Sequence, residues 1–342
     1  MPRTNLPPAA STDAAGVPPL PAGGSPSWTV RRPTATDVDA LFALLVAVDR
    51  ATLGYSDWSR EDVEAEVLSS SAPADRNQLL VWDGDRALAW VIADDRAAGE
   101  ISVDVAVDRN LPAEQADVLA RWALDWLAAR ADVLARDRDR PDTLVNAGIV
   151  EGDEVQERWL RAAGFTPVRT YWRMSRSVDG LPDTAVAAPG VALRRVTTEG
   201  AADVELVHAL VEDAFADHWN HHPRDFAEWW RAKSEGAGHD LDLWWLAELD
   251  GRAVGALIAT RQMEGEGALY LATLGVRRQG RGRGVARSLL REAFAEARRR
   301  GLERVSLTVD GASPTGATAL YRSEGMAVDY AMGVLQRPVT AW

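Results

Sequence analysis

The chain has no cysteine, a single lysine and no long apolar run. Without cysteine there is no disulfide, no thiolate metal site and no cysteine nucleophile. No stretch approaches the roughly 18 apolar residues of a membrane span, so no membrane partner is expected. The lone lysine, Lys233, is not preceded by glycine, which removes the Gly-Lys-Ser/Thr of a P-loop. Positive charge is also scarce. Lys and Arg number 38 against 51 Asp and Glu, a formal charge of −13, which argues against a general binder of nucleic acid or anionic membrane. The deficit is uneven. Residues 1–180 carry 19 basic and 29 acidic side chains, a net of −10, and residues 181–342 carry 19 and 22, a net of −3.

What is present suits a two-domain chain. A length of 342 residues is comfortable for two domains, and a hydrophobic content of 46% is ample for their cores. Residues 1–27 are rich in Pro, Ala, Gly and Ser and lack the apolar segment of a signal peptide. They read as a disordered tail, with the cytoplasm as the default location.

From Trp28 the same order of elements is read twice. In the first pass Trp28–Arg32 reads as a strand, Asp37–Leu53 as a helix, and Ser59 with Asp62 as the cap of a second helix. Gln78–Trp82 and Arg86–Ala93 flank Asp83-Gly84-Asp85, a hairpin signal. A strand at Glu100–Val107, a helix from Pro112 to Ala131, a strand at Thr143–Val150, a helix at Asp153–Ala163 and a strand at Val168–Arg176 complete the pass. Residues 177–190, with Gly, Pro and Ala and little pattern, read as a linker. The second pass runs over residues 191–337. Short passages echo one another: Val30-Arg31-Arg32 and Leu193-Arg194-Arg195, Asp83-Gly84 and Asp250-Gly251, and the helix ends at Leu160–Phe165 and Tyr321–Met326. The expected fold is α/β (α+β), a tandem duplication of one unit over 28–176 and 191–337, with a mixed, mainly antiparallel sheet flanked by helices.

The most informative stretch is Leu269–Arg300. An apolar, β-prone run leads into Arg281-Gly282-Arg283-Gly284-Val285-Ala286, and then into a helix whose Val285, Leu289, Leu290, Ala293, Phe294 and Ala297 share one face. Glycines admit a ligand close to the backbone, and the free N–H groups of a first helical turn favour an anion such as a diphosphate. Other readings of these glycines are weaker. A dinucleotide fingerprint counted from Gly280 places Val285 where its last glycine belongs. An Arg-Gly arm for DNA is out of keeping with the acidity of the chain. A plain glycine-rich turn with solvated arginines is the bland alternative.

Arg281–Ala286 fits the Arg/Gln-x-x-Gly-x-Gly/Ala signature of the GNAT acyl-CoA-dependent N-acyltransferases, and this region resembles that family. The order of elements is similar in both halves, over roughly Trp28–Arg337, and the sequence specificity lies in the second. The resemblance implies acetyl-CoA as co-substrate and no metal. It places the diphosphate at Arg281, Gly282, Arg283, Gly284, Val285 and Ala286, and the pantetheine arm along Leu274, Gly275 and Val276, with a further contact from Ser313. It also implies a tyrosine that protonates the leaving thiolate. Here that residue is Tyr321, in Ala317-Thr318-Ala319-Leu320-Tyr321, where Ser313 stands in place of the customary Asn. A phenol with a reference pKa of ~10 is a suitable acid at neutral pH, and an ordinary buried tyrosine is the alternative.

The base is open. Relatives often carry a carboxylate on the strand read at Leu269–Val276, and here that strand has none. Candidates are Glu264, just before it, and His218, in the run Asp217–His222 between two helices, with a relayed water or an already neutral amine as the remaining choices. The spacing of His218, His221 and His222 does not suit zinc. The first half has Asp108–Gln115 in place of the glycines and Leu160 in place of Tyr321, so it reads as a scaffold copy. The implied reaction is acetylation of a primary amine, on a small molecule, in the C-terminal half. One layout similar to this is that of the mycothiol synthase group, tandem members of the family that acetylate a cysteinyl amine. A non-catalytic acyl-CoA-responsive binding protein is the alternative from another class. The oligomeric state is left open.

Overall fold

The structure is a computed structural model, and it describes residues 16–95, 100–197, 202–219, 223–313 and 315–339. The first half comprises β1 (Trp28–Arg31), α1 (Val38–Leu53), α2 (Arg60–Val67), α3 (Ala74–Asn77), β2 (Gln78–Asp83), β3 (Arg86–Asp95), β4 (Glu100–Val107), α4 (Ala113–Asp137), β5 (Leu144–Val150), α5 (Glu154–Ala162) and β6 (Thr166–Ser177). The second half comprises β7 (Val191–Arg195), α6 (Ala202–Phe215), α7 (Phe226–Ser234), β8 (Trp244–Leu249), β9 (Arg252–Thr260), β10 (Ala268–Val276), α8 (Val285–Arg299), β11 (Arg304–Asp310), α9 (Ala317–Ser323) and β12 (Ala327–Pro338).

Local chemistry accounts for most boundaries. Ser59 and Asp62 form a reciprocal capping box at the start of α2. Gly164 follows α5 in the left-handed conformation that ends a helix. α4 outruns its expected end at Ala131, because Leu134 and Ala135 continue the buried stripe. Arg130 is buried within that stripe and donates to Asn77 Oδ1 at 2.8 Å.

The strands form one twelve-stranded sheet in the order β1-β2-β3-β4-β5-β12-β6-β11-β10-β9-β8-β7. Only β4–β5 and β10–β11 pair in parallel among the described residues. The order is palindromic about its centre, and the final strands of the two halves are exchanged. β6 of the first half lies against β11 of the second, and β12 lies against β5. The cores record the same exchange. Met174 of β6 is buried among Phe294, Leu290 and Tyr321, and Leu335 of β12 is buried among Leu119, Leu124 and Val145. The two halves therefore share a continuous sheet with both final strands at its middle.

Residues 16–27, part of the stretch read as a tail, have a defined place. Trp122 Nε1 of α4 donates to the Pro19 carbonyl at 2.9 Å, and Leu20 packs on the core of the first half. Apolar periodicity did not signal this, because the segment meets α4 through turns and single contacts, as neither helix nor strand. Residues 1–15 lie outside the described residues. No described helix is long and apolar enough to cross a membrane.

Candidate active site

β10 and β11 run side by side only from Ala268↔Arg304 to Leu271↔Leu307. Beyond that rung a bulge between Leu271 and Thr273 turns β10 towards β9. The strands part, and the β11-facing edge of Thr273–Val276 is left without a strand partner. The opening leads into a cavity of about 310 Å³ whose walls include Leu274, Gly275, Val276, Arg281, Gly282, Gly284, Val285, Ala286, His218 and Tyr321. Ala214, Phe215, Gly280, Arg287, Thr315 and Gly316 also line it and were not singled out from sequence. Their signals are faint: Ala214 and Phe215 close the apolar stripe of α6.

The floor of the cavity is the start of α8. None of the amides of residues 282–287 donates to an acceptor among the described residues, and the first helical bond runs from the Ser288 amide to the Gly284 carbonyl at 2.9 Å. A run of free donors at the positive end of a fifteen-residue helix suits an anion. Gly282 and Gly284 have φ of +73° and +81°, which glycine adopts without strain. A Cβ at Gly284 would lie 2.6 Å from Ala188 Cβ, whereas one at Gly282 would meet open space. The donors, the unpaired strand edge and the narrow slot fit the diphosphate and amide-bearing arm of coenzyme A.

The arginines act mostly within the protein. Arg281 donates to the Val276 carbonyl and to the Ala214 carbonyl, both at 3.1 Å, and so joins β10 to α6. Arg287 and Arg291 converge on Glu324 at 2.7 and 2.8 Å. Burial pushes the Glu324 carboxyl up, yet the two guanidiniums outweigh this and hold it below its ordinary value. Arg283 is exposed, 3.9 Å from Asp250, and Ser313 Oγ bonds Thr315 at 2.9 Å. Neither belongs to the cavity wall.

Tyr321 is buried on α9 and its ring joins the core of the second half. Its hydroxyl has no hydrogen-bond partner among the described residues, and burial pushes its pKa up to about 12. It is thus a neutral phenol with a free proton at the cavity wall. His218 packs with its ring tilted against Phe215, 4.4 Å between centroids, at the same cavity. Glu264 lies in a turn before β10 and is paired with Arg261. Of the remaining histidines, His208 is bonded to the Arg224 carbonyl at 2.9 Å, and His239 packs edge-on against Trp230 and Trp244. His221 and His222 lie outside the described residues, among which no metal-binding group is found.

The corresponding place in the first half is filled. β4 and β5 also pair only over Glu100–Val103 and then part. Gln156 Nε2 reaches the Val105 carbonyl at 3.5 Å in that gap. Arg109 lies 5.1 Å over the Trp159 ring and pairs with buried Asp153. At the start of α4, Asp108 takes the Asn110 amide on its side chain at 2.9 Å and the Leu111 amide on its carbonyl at 3.3 Å. Leu160 is fully packed.

A family model described as the acetyltransferase (GNAT) family matches residues 204–326. A mycothiol acetyltransferase from Thermobispora bispora is 36% identical over 176 residues, which are 48% of this chain and 56% of that protein. The chain thus matches little more than half the length of that relative. Among solved structures, a GCN5-related N-acetyltransferase from Sphaerobacter thermophilus is similar over 93% of this chain and 98% of its own, with a TM-score of 0.75 and 26% identity. A tandem GNAT protein from the clavulanic acid biosynthesis pathway shares the fold over 92% of this chain and 99% of its own, with a TM-score of 0.68 and 14% identity.

Proposed function

We propose that this chain, which carries a GNAT acetyltransferase domain over residues 204–326, transfers an acetyl group from acetyl-CoA to a primary amine in its C-terminal half. The observation that carries this reading is the pairing of free amides at residues 282–287 with the unbonded Tyr321 phenol on one cavity. The diphosphate would rest on those amides, and the arm would add to the open edge of β10 as an extra strand. Thioester and phenol then meet between β10 and α9. The amine attacks the carbonyl carbon, the carbon–sulfur bond breaks, and Tyr321 supplies the proton that the thiolate needs. The mycothiol synthase group, whose layout this chain resembles, gives a cysteinyl amine as one acceptor to test, and the T. bispora relative carries the name mycothiol acetyltransferase.

Tyr321→Phe keeps the ring and its packing and removes the acid. Acetylation across a panel of small primary amines should fall about 10²–10⁴-fold in kcat, with acetyl-CoA affinity almost unchanged. Wild-type protein that binds acetyl-CoA and acetylates no amine would favour an acyl-CoA-responsive binding protein instead.

A further inference from the structure

Arg176 of β6 lies 5.0 Å over Phe294 of α8. Strand alternation therefore turns Tyr171, Arg173 and Ser175 to the opposite face of the sheet, away from α8. Register carries that face across the centre: Arg173 lies beside Thr308 of β11 on one side and beside Tyr330 of β12 on the other. Thr308 is the first residue past the last closed rung between β10 and β11. Tyr270 of β10 donates its hydroxyl to Thr308 Oγ1 at 3.2 Å. The Arg173 guanidinium lies 4.9 Å from the Tyr270 ring and 5.9 Å from the Tyr330 ring. Adjacent strands are ~4.8 Å apart, so this row begins at the opening and runs roughly 10 Å across the sheet.

At its far end stands a residue from the first half. Asp57, in the loop between α1 and α2, takes the Tyr330 hydroxyl on Oδ2 at 2.9 Å and lies 3.8 Å from Arg173 Nε through the same oxygen. Its Oδ1 has no partner among the described residues, and the side chain keeps 15% exposure. Resting on the proposed acetyltransferase reading, we propose that Asp57 binds the acceptor amine as its ammonium and takes the proton that must leave before nitrogen attacks. The acceptor is then an aliphatic amine that arrives charged, and its site exists only because the exchanged strands bring Arg173 and Tyr330 side by side.

The surroundings agree. Arg173 and Arg304 are the cations here, against Asp49, Asp57, Glu266 and Asp329. Burial pushes Asp49 up to about 6 and Glu266 up to about 7, and the charge of Asp57 adds to both. Glu266 lies 3.7 Å from Arg304 at the closed end of β10, away from the opening. The proton count closes. One ammonium proton passes to Asp57 Oδ1, nitrogen bonds to the carbonyl carbon, and the carbon–sulfur bond breaks. The second proton leaves nitrogen as the amide forms and replaces the one that Tyr321 gives the thiolate. Asp57 then returns its proton to solvent.

The test compares wild-type and Asp57→Asn full-length protein, with acetyl-CoA and two acceptor sets: aliphatic primary amines, protonated at neutral pH, and aniline- and hydrazine-type amines, largely neutral there. The variant should lose about 10²–10³-fold in kcat/KM for the aliphatic set and far less for the neutral set, with acetyl-CoA affinity retained. The ratio between sets in one preparation is independent of how much protein is folded. Tyr330→Phe should reproduce the same selectivity at smaller amplitude. Equal losses on both sets, or no loss, would overturn the assignment while leaving the enzyme reading intact. A wild-type chain that acetylates neither set would remove the enzyme reading, and this inference with it.

Discussion

The two halves are built alike and differ in what occupies the gap where a parallel strand pair parts. In the second half the gap is a cavity floored by free amides; in the first it holds Gln156, Arg109 and Trp159. The difference is as much one of backbone as of side chains. Asp108 occupies the amides of Asn110 and Leu111 and Pro112 has none, so among the described residues only those of residues 113–115 stay unbonded at the start of α4, whereas all six of residues 282–287 do beside two left-handed glycines. The two halves thus share a sheet layout, with the gap open in one and occupied by side chains in the other. The first half also shapes the centre of the molecule, because it supplies β6 and the Asp57 loop.

Breaking the plug of the first half should have the largest effect on stability. In Arg109→Ala, buried Asp153 loses its charge partner and keeps Thr52 and the Gln156 amide as donors. Burial lowers the pKa of Arg109 more than Asp153 raises it, so the pair is not a large net stabiliser. Removing one member should still cost about 2–3 kcal/mol, read as a lower denaturation midpoint with unchanged slope. Acetyl-CoA affinity should stay as it was. A second nucleotide site appearing in this variant would mean that the plug alone separates the halves.

A smaller effect sharpens the comparison from the other side. Glu324, buried beneath Arg287 and Arg291, stands where the first half has Ala163. Its folded pKa is depressed, so its contribution is present above the unfolded value of ~4.3 and is lost as pH falls through the lower folded value. Both arginines are nearly half exposed, so about 1 kcal/mol is expected after screening. Thermal melts of wild type and Glu324→Gln should differ at pH 7 and converge towards pH 3. A gap that does not narrow as the pH falls below the unfolded value would mean that shape and not charge accounts for it.

Much of this was legible before the structure. Alternation placed β4 at Glu100–Val107 to the residue, and Ser59 with Asp62 marked the start of α2, because such signals depend on near neighbours in sequence. Of the residues named from the motif, Leu274–Val276, Gly282 and Gly284–Ala286 line the cavity, where the backbone itself makes the wall. The strand exchange was not. Thr166–Ser177 and Ala327–Pro338 alternate in the same way whichever β5 or β11 they join, so their residues carry no mark of the partner. Asp57 was hidden for the same reason, since its neighbours Tyr330 and Arg173 reach it only through that exchange.

The central claim, that one half holds the nucleotide and the other has filled its site, is tested most directly by calorimetric titration of the full chain with acetyl-CoA. The stoichiometry should be one per chain. It should vanish in Gly282→Asp, which sets a carboxylate among the free amides at a position where a Cβ meets open space. Two sites per chain, or one site that survives Gly282→Asp, would contradict it.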